Sequence, residues 1–203
     1  MRSMMVAAAA FSLLAGAAFA APPSRDQGDW PCRQVKVPDL SLAAIWSGPS
    51  IETAEKVWRG DAQVSDLASR LAARRTPLET AEQLIVDFAR NAGSARKDRL
   101  LLLFAGVYDG LEAERGEVMA GLDRYGRAQK EMAERLRERT QKLREAQDAH
   151  AEAEKIKELS DALQWEMRVF EERRKAVTFV CETPALIEQR LGFLARSIET
   201  ALE

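Results

Sequence analysis

The sequence predicts an all-α protein, a small helical bundle from which a long antiparallel, coiled-coil-like helical hairpin projects. Three observations predict this class. Five of the seven prolines lie between residues 22 and 49, so only two prolines interrupt the rest of the 203-residue chain. Apolar residues then recur every seven positions. From Arg127 to Thr183 the chain contains neither glycine nor proline, so nothing there is expected to break a helix.

Residues 1–20 have the composition of a secretory signal peptide. They hold 16 apolar residues and one charge, Arg2, and they end in Ala18-Phe19-Ala20, the A-x-A pattern of signal-peptidase sites. The alternative is an uncleaved membrane anchor, since the run has about the minimum length for a span. No later apolar run is long enough, so we expect an exported chain with no membrane span after cleavage.

Residues 21–49 form a Pro/Trp-rich N-terminal strap. Trp30 and Trp46 predict that this strap packs on the helical body, because a disordered linker would carry few aromatic residues. In an oxidising compartment the two cysteines, Cys32 and Cys181, are expected to form a disulfide bond, and two separate buried thiols are the alternative. The bond would tie the strap to the far end of the helical region.

Residues 50–203 are predicted to form a single helical domain, with a bundle over 50–112 and 184–203 and a hairpin arm over 113–183. Thr76-Pro77 and Thr183-Pro184 are start signals, with threonine as the N-cap and proline at the first helical position. Arg59-Gly60-Asp61 spells an adhesion tripeptide, but Gly60 ending one helix and Asp61 capping the next explains it better.

Two apolar series predict the two sides of the hairpin. The first follows residues 104–146, with a partner series along 108–150, and weakens toward its end. The chain is therefore expected to reverse between 146 and 155, and one helix about 130 Å long is the alternative. The second series lies beyond the reversal and consists of Ile156, Leu163, Phe170 and Val177, supported by Leu159, Met167 and Cys181.

Charge favours the hairpin over the single helix. Residues 123–145 carry eight basic and five acidic side chains, whereas 148–161 carries five acidic and two basic ones, so folding one segment on the other pairs opposite excesses. The first seam also has polar members at Arg115, Gln129 and Arg139, and we expect a helix of a partner to cover these positions.

Five glycines within the predicted long helix call for an explanation, because each costs about 1 kcal/mol relative to alanine. We expect the strap or the last helix to approach the backbone closely there, and a break near residue 110 or 116 is the alternative. The glycines are Gly106, Gly110, Gly116, Gly121 and Gly126.

The sequence offers little chemistry for catalysis or metal binding. With a single histidine and no nucleophile motif, we expect neither an enzyme nor a cofactor. The one cluster with metal-ligand side chains consists of Asp148, His150, Glu152 and Glu154, which converge only in a loop. We expect a solvated hairpin tip and no metal.

Several segments resemble uncharacterised exported helical proteins of Gram-negative bacteria. The resemblance implies a periplasmic location and no particular activity. The segments are Trp30-Pro31-Cys32, Val37-Pro38, Leu42 to Pro49, Phe170-Glu171-Glu172-Arg173, Cys181-Glu182-Thr183-Pro184 and Glu188-Gln189-Arg190-Leu191.

These features together predict a non-enzymatic periplasmic interaction or scaffold protein that acts through its helical hairpin. Its expected partner is another exported or envelope protein, or a further copy of the same chain. Nucleic acid is not expected, since the near-neutral balance of 30 basic and 32 acidic side chains lacks a basic excess. A holdase-type chaperone is one alternative. A small-ligand or metal carrier is another, through Trp46, Trp58 and Trp165 or through the 148–154 cluster.

Overall fold

The computed structural model describes residues 28–203, so the predicted signal peptide and the first residues of the strap lie outside the described residues. Within 28–203 the secondary structure is helical and contains no strand, which confirms the all-α class. None of the helices in this range has the length and apolar character that crossing a membrane requires. The α-helices are α1 Leu42–Ile45, α2 Glu52–Val57, α3 Ala62–Ala72, α4 Leu78–Asn91, α5 Arg96–Asp148, α6 Ala153–Cys181 and α7 Thr183–Leu202.

The three longest helices, α5, α6 and α7, form a helical hairpin. Its first side is α5, with 53 residues and a length of about 80 Å at 1.5 Å per residue. Its second side is α6 followed by α7, which returns along α5 in antiparallel register. The predicted hairpin is therefore confirmed, and the alternative of one continuous helix is wrong. Three contacts share this register: Arg96 with Ala201, Arg115 with Glu188, and Arg139 with Glu166.

The reversal lies within the predicted range and depends on the backbone of the lone histidine. His150 has a φ of 51°, the left-handed conformation that ends many helices. The amide of His150 donates to the carbonyl of Gln147, and that of Ala151 donates to Ala146, which is the Schellman pattern of hydrogen bonds. Glu152 then precedes the first residue of α6.

The hydrophobic core lies at the base of the hairpin, where α2, α3 and α4 pack around the junction of α5 and α7. The helix α5 passes through this core without a break at residue 110 or 116. Trp46 of the strap stacks on Phe104 with 3.8 Å between ring centroids, so the strap contributes to the core. Fully buried core side chains are Leu71, Ile85, Leu100, Leu103, Leu111, Ile187, Leu191, Leu194 and Ile198.

The three predicted helix starts that carry polar caps differ in outcome. Thr183 is the first residue of α7 and not its N-cap, a position that Glu182 takes without a side-chain cap hydrogen bond. Asp61 caps α3 as expected, since its carboxylate accepts from the amides of Gln63 and Val64. Thr76 does not cap α4. Its hydroxyl donates to the carbonyl of Arg70 at 2.7 Å, and the helix begins at Leu78. The Thr-Pro pair thus closes the preceding turn instead of opening the helix.

Candidate interaction surface

A disulfide bond attaches the strap to the hairpin. Cys32 and Cys181 are bonded, with 5.6 Å between their Cα atoms, as the sequence predicts. The side chain of Gln34 donates a hydrogen bond to the carbonyl of Cys181 beside this bond. The strap is therefore fixed at the point where α6 ends and α7 begins.

The strap crosses α5 at Gly126. A Cβ at this position would lie only 1.7 Å from the carbonyl oxygen of Asp29, so any side chain would displace the strap. Two ion pairs hold the crossing: Lys36 with Asp123 at 2.7 Å and Lys130 with Asp29 at 3.0 Å. This crossing confirms the predicted close approach at Gly126.

The other glycines of α5 divide into two groups. A Cβ at Gly106 would lie 2.9 Å from the ring of Trp58 and 3.0 Å from Cβ of Ala68, so this glycine also permits a close approach. The approach at Gly106 comes from Trp58, which follows α2, and from Ala68 of α3, and not from the strap or the last helix. Positions 110 and 116 face open space, and a Cβ at Gly121 would meet only the side chain of Arg124 at 3.8 Å, so the prediction of close approach is wrong at these three glycines.

Arg115 is buried, with 3% of its surface exposed, and joins three parts of the molecule. Its guanidinium pairs with Glu188 of α7 at 2.7 Å and donates to the carbonyl oxygens of Val37 and Pro38 in the strap. A buried charge is tolerated when it is paired and hydrogen-bonded in this way. Arg115 is thus an internal anchor of the strap.

The other two polar positions of the first seam also bind within the chain. Gln129 donates to the carbonyl oxygen of Phe170 at 3.0 Å, and Arg139 pairs with Glu166 at 2.9 Å. Arg115 is therefore covered by residues of its own chain and not by a partner helix, whereas Arg139 is still 45% exposed and coverage by a partner stays a prediction there. Each of these three side chains has an acceptor within the chain, so a binding surface is expected elsewhere on the hairpin.

The distal half of the hairpin extends beyond the base and the strap. Its seam is only half-covered, because two helices alone cannot enclose the side chains between them. Leu163 is buried there, while the remaining apolar seam residues are half-buried: Met132, Leu136, Leu143, Ile156 and Leu159.

Apolar side chains also lie on the outside of this distal half. Trp165 is 62% exposed, and the guanidinium carbon of Arg168 lies 5.5 Å from the centroid of its ring. Met167 is exposed as well, so its predicted role in the seam is wrong. The sequence already indicates that Trp165 lies outside the seam, because it follows the seam residue Leu163 by two positions and is therefore on another face of the helix.

Most charges of the second side pair along α6 and not across the hairpin. One pair crosses the hairpin, Arg139 with Glu166, but Glu166 lies outside the 148–161 segment whose acidic excess was predicted to pair with 123–145. The four pairs within α6 join residues three or four positions apart, and such exposed pairs contribute little to stability. They are Lys155 with Glu158, Lys157 with Asp161, Arg174 with Glu171, and Lys175 with Glu172.

The candidate ligand residues named from the sequence do not come together. Across residues 28–203 there is no group of three or more His, Cys, Asp or Glu side chains arranged to hold a metal ion, and this range includes 148–154. Trp46 and Trp58 contact α5 near residues 104 and 106. Trp165 lies beside the part of α5 near residue 139, about 50 Å further along that helix.

A groove of about 310 Å³ runs under the strap, between Trp30 and the side chains of Tyr125, Gln129 and Phe170. The hydroxyl of Tyr125 and the amide oxygen of Gln129 are buried and have no hydrogen-bond partner among the described residues. The same holds for Nε of Arg173, whose guanidinium lies 5.2 Å from the centroid of the Tyr125 ring. Buried polar atoms of this kind are rare in proteins unless something satisfies them.

Two titratable side chains at the base have shifted pKa values. Burial raises the pKa of Tyr108 above its ordinary value, and the nearby carboxylates of Glu112 and Glu55 add to the effect. Burial lowers the pKa of Arg190, whose guanidinium donates to the carbonyl oxygens of Leu71 and Thr76. Both groups serve the packing of the base.

Comparison with known proteins adds no family to this description. A scan against protein-family models found no match to the chain, and neither a search of curated proteins nor a search of solved structures found one. The function of the exposed surface around Trp165 is therefore inferred from its own residues.

Proposed function

We propose that this protein is a non-enzymatic interaction or scaffold protein of the periplasm. Its distal hairpin binds another exported or envelope protein. The bond between Cys32 and Cys181 supports an exported location, because disulfides persist in oxidising compartments. The A-x-A pattern at residues 18–20 supports the same location.

Trp165 is the observation that carries the proposal. An exposed tryptophan in the middle of a charged helix buries little apolar area and so adds little to stability. Tryptophan and arginine are, however, among the residues most enriched in the hot spots of protein interfaces. Arg168 beside the ring and the flexible side chain of Met167 extend the same apolar and cationic character. A partner with an apolar pocket bordered by carboxylates fits this surface.

The test is a comparison of two variants in affinity capture from a periplasmic extract. We expect the wild-type protein to recover one specific protein and the Trp165→Ala variant to lose it. Val86→Ala, at an exposed position of α4 in the base, is the matched control and should retain it. Calorimetry with the purified partner should then show at least about a tenfold weaker affinity for Trp165→Ala, the effect typical of a hot spot.

The proposal fails if capture recovers no specific protein, or if Trp165→Ala and Val86→Ala bind the partner equally well. The same variants also test the holdase alternative. A holdase would suppress aggregation of several unrelated unfolded proteins at stoichiometric ratio, while the proposed scaffold protein would suppress none.

A second candidate function is a small-ligand carrier, and the groove under the strap favours it. Tyr125 and Gln129 line this groove, and the unpartnered hydroxyl and amide oxygen of these two residues suit a small polar molecule with a donor group. Native mass spectrometry of protein purified under mild conditions tests this function. A bound mass that disappears in the Tyr125→Phe variant would support it, and protein without any bound mass would exclude it.

A further inference from the structure

The two sides of the distal hairpin are covered to different extents, because the strap lies on only one of them. Ala133 and Arg139 are three residues before and after the seam residue Leu136 of α5, so they lie on opposite sides of the seam. Ala133 lines the groove under the strap. Arg139 pairs with Glu166 of α6 on the other side. We call this other side, along residues 132–146 of α5 and the facing part of α6, the open groove.

The α5 edge of the open groove carries two basic side chains without a partner in the described chain. Arg135 is four residues before Arg139 and Lys142 is three residues after it, so all three lie on one face of α5. Arg135 and Lys142 are both exposed. Neither side chain makes an ion pair or a hydrogen bond with another residue of the range 28–203. Two positive charges therefore have no counter-charge within this range.

The α6 edge of the open groove is apolar. Ala162 and Val169 are half-buried and lie three residues before and four residues after the exposed Trp165, on the same face. In the antiparallel register of the hairpin, Lys142 lies level with Ala162. Arg135 lies level with Val169. Positions beside a coiled-coil seam commonly pair opposite charges across the two helices. Here α6 has an alanine and a valine where such pairs would need carboxylates.

We infer that the open groove binds an amphipathic α-helix of the partner, with acidic residues along the flank that faces α5. The inference rests on the function proposed above, because this helix belongs to the exported protein that binds Trp165. Its apolar face covers the half-buried seam residues Met132 and Leu136, and its carboxylates accept from Arg135 and Lys142. The small side chains on the α6 edge permit the close approach of a third helix. Recognition of this kind places a helix in a groove between two others.

The base leaves room for such a helix. Among the described residues, the ion pair between segment 50–95 and α5 that lies furthest toward the tip joins Arg74 to Glu114. Met132 lies about 27 Å further along α5. A helix of four turns is about 21 Å long, which matches residues 132–146. The docked helix also covers Arg139, whose side chain is 45% exposed.

Photo-crosslinking in the periplasm locates the partner. Ser160 and Glu166 lie three residues before and after the seam residue Leu163, so Ser160 is on the strap side. Glu158 is exposed and precedes Trp165 by seven residues, at the rim of the open groove. We expect Glu158→benzoylphenylalanine to give a crosslinked product and Ser160→benzoylphenylalanine to give none. Mass spectrometry of the attached peptide should show an amphipathic sequence rich in Asp and Glu.

Three crosslinking results would overturn the inference. One is a product at the strap side alone, and another is the absence of a product at both positions. The third is an attached peptide that is basic or that comes from a second copy of this chain.

A matched pair of charge reversals tests the chemistry, with a synthetic copy of the crosslinked peptide as the probe. The double variant Arg135→Glu/Lys142→Glu should bind the peptide about tenfold or more weakly, because its carboxylates then face like charges. Arg137→Glu/Arg144→Glu makes the same change in charge at the same spacing of seven, on the strap side of α5, and should bind like the wild type. Calorimetry measures both affinities, and circular dichroism shows that both variants are folded.

The same measurements separate the inference from the proposed function. If Trp165→Ala abolishes binding of the partner while the two double variants bind equally well, the inference is overturned and the proposed function stands. If Trp165→Ala binds the partner like the wild type, the proposed function fails, and the inference fails with it.

Discussion

The base and the distal half of the hairpin use the same two sides in the same register, yet they bury their apolar residues to very different extents. At the base, the seam side chains of α5 and α7 are fully enclosed by α2, α3, α4 and the strap. In the distal half, the equivalent seam residues are half-buried, with Leu163 as the buried exception among those described. The amount of apolar surface that is buried therefore depends on the elements packed around the hairpin, and not on the pairing of its two sides.

This difference separates stability from recognition. Burial of apolar area is the main favourable contribution to folding, so the base holds most of the stability. The distal half continues two helices that are held in the base, and its outer faces remain in contact with solvent. Trp165 is exposed for this reason, while Phe104 is enclosed.

The largest expected effect comes from removing the disulfide that closes the base. Replacing Cys32 and Cys181 by serine releases a loop that spans 149 residues, which lowers the free energy of unfolding by about 5 kcal/mol in the chain-entropy model. Urea unfolding monitored by circular dichroism measures this change. Reduction of the wild-type protein should reproduce it. Equal unfolding midpoints with and without the bond would show that the strap adds nothing to the base.

A matched pair of core truncations tests the comparison directly. Phe104→Ala at the base removes a fully buried ring that stacks on Trp46, so we expect it to lower the free energy of unfolding by about 3–5 kcal/mol. Leu136→Ala in the distal seam removes a half-buried side chain and should cost about 1 kcal/mol, since less apolar area is lost. Chemical unfolding of both variants provides the measurement. Similar losses would mean that the distal seam is as well packed as the base.

The sequence predicts the periodic parts of this fold well, because periodicity reports which side of a helix is buried. The reversal near His150 follows from the loss of the first apolar series, and the disulfide follows from the number of cysteines and the predicted export signal.

Tertiary contacts between distant segments could not be predicted in the same way. Arg115 interrupts an apolar series, and the sequence alone suggests that a partner covers it. Its acceptors are strap carbonyls 77 and 78 residues away, and backbone acceptors leave no mark in the side-chain pattern. Gly126 is similar, because only the path of the strap distinguishes it from Gly116.

Substitutions at these two glycines locate the edge of the part of α5 that the strap covers. Gly126→Ala forces the strap away from α5, so we expect it to lower the free energy of unfolding by about 1–3 kcal/mol. Gly116→Ala meets open space and should raise it by up to about 1 kcal/mol, the difference in helix propensity. Thermal unfolding of the two variants gives opposite shifts if the strap crosses at Gly126. A stabilised Gly126→Ala protein would rule that crossing out.

The smallest effect concerns charge, which also differs between the two regions. In the base, burial raises the pKa of Asp61, but hydrogen bonds from the Val64 amide and the charge of Arg99 outweigh it, so the pKa lies below the ordinary 3.8. A carboxyl group with a lowered pKa in the folded state contributes stability above the unfolded value and loses it as pH falls through the folded value. We therefore expect the charge of Asp61, which is paired with Arg99, to contribute up to about 1 kcal/mol at neutral pH and to lose this contribution as the pH falls below about 4.

Urea unfolding at pH 6 and at pH 3 measures this contribution when the wild-type protein is compared with Asp61→Asn. Asparagine still caps α3, so the substitution removes the charge while it keeps the cap. The variant should be less stable than the wild type at pH 6, and the gap should narrow at pH 3. Asp66→Asn, which removes only an exposed i,i+4 pair with Arg70, is the control and should show a smaller change. A gap that stays constant between the two pH values would mean that Arg99 does not stabilise the Asp61 carboxylate.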